Sequence, residues 1–165
     1  MRKIDLIFWH TAAHSDSKGR IRDTTKEELF QWHVRERGWS DIGYHYLVRR
    51  DGTIHPCRPV ARSGAHVAGV NSRSVGICLS GDGEVGPATK DQYAAAIGLT
   101  AELMIKYDVP VYGVLGHREV NDLVASGEVA QKYRTPKTCP GRYIDMTEVR
   151  RGLASITHWN RGAII

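Results

Sequence analysis

Two histidines and one cysteine have the side-chain types of a zinc site. His10 and His117 each end an apolar run, and Cys139 lies in a loop sequence beside Lys137. Neutral imidazole and thiolate are ligands that zinc prefers, and three protein ligands leave a fourth position for water. A neighbouring lysine favours the thiolate form of a cysteine. The separations along the chain are much wider than in local zinc motifs, so residue types alone do not distinguish this site from structural histidines.

Alternating and amphipathic patterns predict the elements that must position these side chains. Asp51-Gly52 is typical of a two-residue hairpin turn, and Thr25 with Glu28 has the pattern of a capping box. The predicted strands are 4–9, 44–50, 53–55, 75–79 and 109–115. The predicted helices are 25–37, 89–107 and 145–155. Long loops are predicted at 59–74 and at 122–143, the second with one helical turn. The order β-α-β-β-β-α-β-α predicts an α/β fold with a central mixed β-sheet flanked by helices. A length of 165 residues predicts one domain spanning 1–165.

Composition excludes several classes of protein. The net charge is +5, which favours polyanionic partners, but no basic run reaches five residues, so no nucleic-acid partner is expected. No apolar stretch approaches the roughly eighteen residues of a membrane span, so no stable membrane insertion is expected. The interrupted N-terminal apolar run is too short for a signal peptide, which predicts a protein first held in the cytoplasm. Three cysteines, an odd number, argue against a disulfide framework, and Cys78 lies in an apolar run typical of a buried core thiol.

Seven short sequence blocks occur in a characteristic order between about residues 4 and 145. They are FWHTA at 8–12, IGYHY at 42–46, RDGT at 50–53, GAH at 64–66, NSRSVGICL at 71–79, GHRE at 116–119 and PKTCP at 136–140. Together they resemble the zinc N-acetylmuramoyl-L-alanine amidases of the type-2 amidase and peptidoglycan-recognition-protein family, and most closely its T7-type phage members. Seven ordered blocks are far more specific than any one of them.

The resemblance implies a set of site residues. It assigns His10, His117 and Cys139 as the ligands of one zinc ion, Tyr44 and Lys137 as catalytic residues, and His66 and Asn71 as substrate-binding residues. Lys137 is expected to stabilise a developing oxyanion together with zinc, because it lies two residues before a ligand. Tyr44 is expected to hold the attacking water or to bond to the oxyanion. Thr11 and Glu119, each close to a ligand in sequence, are expected to support the site.

The implied function is hydrolysis of the amide between N-acetylmuramic acid and L-alanine in peptidoglycan. A phage endolysin acting in host lysis is the first expectation: a monomer held in the host cytoplasm until lysis and then acting on the cell wall. One alternative is a non-catalytic peptidoglycan-binding module, although such relatives typically lose the cysteine ligand. Another is a cytoplasmic muropeptide-recycling amidase, whose relatives typically carry an acidic residue where this chain has Tyr44.

Three further expectations concern positions around the site. Residues 121–134 form an insertion relative to the T7-type members and are expected to line the substrate groove and alter substrate choice. The cationic, partly apolar segment 156–165 is expected to pack on the domain, with contact to an anionic membrane as the alternative. His45 alternates with Tyr44, so it is expected to point to the opposite face as a buried sheet histidine.

Overall fold

Five strands form one mixed sheet in the computed structural model, which describes the backbone of residues 2–162 and the side chains of residues 2–156. The strands are β1 (Leu6–Thr11), β2 (Tyr46–Val48), β3 (Ile54–Pro56), β4 (Ser74–Leu79) and β5 (Val114–Gly116). Their order in the sheet is β3-β2-β4-β1-β5, and β1 runs parallel to both of its neighbours. Only β3 runs antiparallel, to β2. The predicted mixed α/β sheet is therefore confirmed.

Four α-helices in the described part of the chain accompany the sheet. They are α1 (Lys26–Phe30), α2 (Lys90–Tyr107), α3 (Val120–Ala125) and α4 (Met146–Gly162). The capping box is confirmed, because the Glu28 amide donates to Thr25 Oγ1 and the Thr25 amide donates to the Glu28 carboxylate. The predicted helix over 25–37 begins as α1 and continues as a π-helical segment, Gln31–Glu36. No helix among the described residues is long and apolar enough to cross a bilayer.

Several predicted elements differ from the structure in extent, among them the strand predicted over 44–50, of which only β2 forms. The strand predicted over 109–115 is shortened to β5, Val114–Gly116. Pro110 has no amide hydrogen to donate in a sheet. Its carbonyl accepts from the Gly113 amide, and the residues between form a 3-10 turn, Val111–Gly113. The region 122–143 contains α3, which starts at Val120, and a 3-10 turn, Gln131–Tyr133. Helix α4 extends to Gly162, and most side chains of 156–165 lie outside the described residues, so the expected packing of this segment stays a prediction.

Strand alternation decides which face of the sheet carries the chemistry. Ile7 and Trp9 belong to the core cluster that includes residues of α2 and α4, and the Trp9 indole donates to Thr100 Oγ1 at 3.0 Å. Phe8 belongs to a second cluster, which includes residues of α3. Because side chains alternate along a strand, His10 shares the Phe8 face and points away from the α2–α4 layer.

Candidate metal centre

His10, His117 and Cys139 meet at the edge of the sheet where the parallel strands end. One candidate ligand atom from each lies within 4.8 Å of the other two. The parallel register pairs Trp9 with Gly116, so the two residues that follow, His10 and His117, lie side by side with ring centroids 5.0 Å apart. Cys139 Sγ lies 3.6 Å from His10 Nδ1. The predicted trio is thus brought together and has the composition of a group that can hold a metal ion.

Burial sets the protonation of all three side chains. It lowers the pKa of His10 well below its usual value and that of His117 to about 4, and the charge of Lys137 adds to both effects. Both imidazoles are therefore neutral at pH 7 and keep a lone pair for a metal. The expected thiolate preference of Cys139 is wrong for the metal-free protein, because burial raises its pKa to about 11 despite nearby Lys137. Metal binding at this site must release the thiol proton.

A half-buried carboxylate holds the turn that carries His117. The Gly116 amide donates to Glu119 Oε2 at 2.8 Å, which closes the 3-10 turn His117–Glu119. Arg150 on α4 donates to both oxygens of Glu119 at 2.9 Å. This bidentate pair ties the end of β5 to α4, and Glu119 supports the loop geometry as expected.

Arg118 holds the loop that carries Cys139. Its guanidinium donates to the carbonyls of Thr138, Gly141 and Ile144 at 3.2, 3.0 and 2.8 Å. The Arg118 amide also donates to the carbonyl of Cys139 at 2.8 Å. Sequence reasoning missed this role, since nothing in the sequence indicates which carbonyls lie near an arginine.

A close backbone approach fixes the other side of the same loop. A Cβ at Gly83 would lie 1.9 Å from the carbonyl oxygen of Pro140, so only glycine allows the two segments to touch. Thr11, which follows His10, donates its hydroxyl to the same Pro140 carbonyl at 3.1 Å. The loop after Cys139 is therefore attached to the end of β1, as expected of a supporting residue at Thr11.

Comparison with known proteins assigns the family. The family model described as N-acetylmuramoyl-L-alanine amidase matches residues 1–142. The chain belongs to this family. It is 36% identical over 132 residues to the endolysin of Klebsiella phage KP32, covering 77% of this chain and 76% of that protein. It is 33% identical over 144 residues to the endolysin of Escherichia phage T7, covering 82% and 80%.

A solved structure of a family member has the same fold. The N-acetylmuramoyl-L-alanine amidase LysC from Clostridium intestinale superposes with a TM-score of 0.73 at 29% identity. The match covers 93% of this chain and 87% of that protein. The α/β architecture is therefore that of the amidase family over nearly the whole chain.

Tyr44 and Lys137, the residues expected to act in catalysis, both lie beside the candidate ligands. The Tyr44 ring centroid is 5.0 Å from that of His10, and burial raises the pKa of the phenol well above its usual value. Tyr44 therefore stays protonated at neutral pH and is a hydrogen-bond donor. Lys137 is exposed, and its charge acts on both His10 and His117. The structure thus places one neutral donor beside His10 and one cation near both histidines.

A cavity of about 390 Å³ opens from this centre. Its lining includes His66, Asn71, His117, Lys132, Arg134 and Lys137. The predicted insertion thus contributes two cations to the wall. Asn121 fixes the far end of the insertion, because its side chain exchanges two hydrogen bonds with the backbone of Thr135 at 2.8 and 2.9 Å.

His66 and Asn71 line the cavity but already have protein partners. His66 lies with one ring nitrogen 3.0 Å from His10 Nε2 and the other 3.2 Å from Ser74 Oγ. Asn71 Oδ1 accepts from the amides of His66 and Val67 at 2.9 Å each. Their contact with a substrate stays a prediction. His45 is buried as expected, and its Nδ1 accepts from the Gly76 amide at 2.9 Å.

Proposed function

We propose that this chain is a zinc-dependent hydrolase that cleaves the amide between N-acetylmuramic acid and L-alanine in peptidoglycan. The amidase family and the phage endolysins among its relatives support this activity and a role in host lysis. Such a protein would act on the cell wall after its release from the host cytoplasm. The described residues of a single chain supply all three candidate ligands, which is consistent with action as a monomer.

The separation between His10 Nδ1 and Cys139 Sγ is the observation that carries the zinc proposal. Zinc lies about 2.0–2.1 Å from imidazole nitrogen and about 2.3 Å from thiolate sulfur, and a tetrahedral angle then separates the two ligand atoms by about 3.6 Å. The observed separation is 3.6 Å. A set of two neutral imidazoles and one thiol also favours zinc over magnesium or calcium, which prefer oxygen ligands.

Two residues of the chain, Lys137 and Tyr44, are assigned roles in the hydrolysis besides the ligands. A zinc ion held by His10, His117 and Cys139 would supply Lewis-acid chemistry at the scissile carbonyl and would lower the pKa of a water molecule. Lys137 donates to the carbonyl oxygen as negative charge grows on it, since its ammonium is exposed at the cavity and tethered two residues from Cys139. The protonated Tyr44 phenol holds the attacking water or donates to the same oxygen. Both residues act on the reacting atoms, so we assign both as catalytic.

The cavity next to His117 is the place we assign to the substrate. Peptidoglycan stem peptides carry carboxylates, and Lys132, Arg134 and Lys137 give this cavity a positive lining. We further propose that the insertion, through Lys132 and Arg134, adds a wall that selects among stem peptides. The overall charge of +5 also favours encounter with the anionic wall.

A matched pair of cysteine variants tests the proposal. We expect Cys139→Ala to lose at least about 100-fold in the release of peptide amino termini from purified sacculi, because the ligand set is reduced to two residues. Cys57→Ala is the control: this cysteine is also free and half-buried, but it is outside the ligand group. Chelation should abolish the wild-type activity, and added zinc should restore it. Equal activity of Cys139→Ala and Cys57→Ala would refute the metal centre.

A further inference from the structure

The His66 ring is held between two partners inside the protein. Its Nδ1 lies 3.0 Å from His10 Nε2, and its Nε2 lies 3.2 Å from Ser74 Oγ. His66 is 8% exposed and Ser74 is fully buried, so both contacts are shielded from water. The three side chains form one row, Ser74–His66–His10, that ends at a candidate metal ligand.

Two glycines provide the space for this ring. A Cβ at Gly76 would lie 2.7 Å from His66 Cγ, and a Cβ at Gly64 would lie 2.6 Å from His66 Cδ2. Any larger residue at either position would displace the ring. Asn71 fixes the backbone as well, by accepting the amide hydrogens of His66 and Val67. Ring and backbone are thus held independently, which is more than a surface residue that only contacts substrate requires.

The direction of the hydrogen bonds follows from the orientation of His10. Its Nδ1 faces Cys139 Sγ and must keep a lone pair to bind a metal, so the proton of the neutral ring belongs on Nε2. The Nε2–H then donates to His66 Nδ1. His66 in turn carries its own proton on Nε2 and donates it to Ser74 Oγ. Each buried nitrogen in the row is satisfied in one consistent arrangement.

We propose that His66 and Ser74 are positioning residues for metal binding, holding His10 in the tautomer and ring orientation that present Nδ1 to the metal. The proposal rests on the metal centre put forward under Proposed function. Residues that hold a ligand histidine in this way typically contribute about 10–100-fold to metal affinity. His66 acts through His10, and its hydrogen-bonding capacity is used inside the protein.

Zinc affinity of the full chain, measured by competition with a chromophoric chelator, is the first test. We expect His66→Phe, which keeps a ring but has no acceptor, to bind zinc about 10–100-fold more weakly than wild type. His66→Asn should recover most of that loss, because its amide oxygen, like Nδ1, is two bonds from Cβ. Ser74→Ala should lose less than His66→Phe, and His55→Phe on β3 should lose nothing. Equal affinity of His66→Phe and wild type, with one zinc bound to each, would overturn the proposal.

The tautomer of His10 in the metal-free chain is the second test. Long-range ¹H–¹⁵N correlation spectra should show the His10 proton on Nε2 in wild type and a mixture of tautomers in His66→Phe. A proton on Nδ1 of the wild-type His10 would overturn the proposal. This measurement does not use zinc. If the chain bound no zinc, the zinc centre would fail, whereas an Nε2 proton that depends on His66 would still support the positioning role.

Discussion

Replacing Arg118 with methionine tests how the loop of the candidate ligand Cys139 is held. The guanidinium donates to three carbonyls of the loop around Cys139, two of these bonds being partly buried and the Thr138 bond exposed. Hydrogen bonds from a charged group contribute roughly 1.5–3 kcal/mol each when shielded, and far less when exposed. Because methionine keeps the aliphatic packing and removes all three donors, we expect the free energy of unfolding to fall by about 2–4 kcal/mol. For a chain of this length that corresponds to a midpoint roughly 5–15 °C lower.

Urea and thermal unfolding of the metal-free chain measure this loss directly. Arg62→Met is the matched control, because that arginine is 53% exposed, has only 3.4 Å side-chain contacts and should change stability by less than about 0.5 kcal/mol. Arg118→Lys should fall between, since lysine keeps the charge but cannot reach three carbonyls. Zinc affinity should fall together with stability in Arg118→Met. An Arg118→Met chain that unfolds and binds zinc like Arg62→Met would refute the reasoning.

Three further predictions concern acid stability, helix capping and the cavity. Burial, together with nearby arginines, lowers the pKa of His33 to about 4, and its Nδ1 accepts from the Gly43 amide. As the pH falls from 7 to 4.5, the unfolded chain binds a proton at His33 before the folded chain does, and this lowers the free energy of unfolding. Urea unfolding should therefore show a larger loss of stability over this range for wild type than for His33→Asn. Equal losses would contradict this prediction. Thr25→Ala removes the capping-box acceptor and should cost about 1 kcal/mol in the same assay, and no loss would mean that the cap adds nothing. Arg134→Ala should raise the KM for sacculi with little change in zinc affinity. The control, Arg151→Ala at an exposed position on α4, should change neither quantity. An unchanged KM for Arg134→Ala would exclude a substrate role.

Local patterns in the sequence were sufficient for the elements that carry the site. The alternation in β1 predicted a buried strand ending near His10, and the Thr25–Glu28 pattern predicted where α1 begins. The residue types of His10, His117 and Cys139 suggested a metal, but their wide spacing did not. The ordered blocks that resemble the amidase family indicated that these three residues form one site. The parallel register of β1 and β5 is the physical reason why His10 and His117 lie side by side.

Long-range contacts were outside the reach of sequence patterns. His66 and His10 are 56 positions apart, so their hydrogen bond depends on how the loop before β4 packs against β1. Likewise, no pattern of side chains along the sequence indicates which carbonyls Arg118 contacts. The Cys139 thiol was expected to ionise because of its neighbour Lys137, but burial, which depends on the whole fold, outweighs that one charge. The sequence therefore indicated the candidate ligands, and only the structure indicated which residues hold them in place.

Identifying the bond that is cut in purified sacculi tests the central claim most directly. The chain should generate new L-alanine amino termini and no new reducing sugar ends, and this activity should disappear with chelator and return with zinc. New reducing ends would mean cleavage of the glycan and would contradict the proposed site. Release of neither product, with retention on sacculi in a pull-down, would identify a binding module and contradict the claim of hydrolysis.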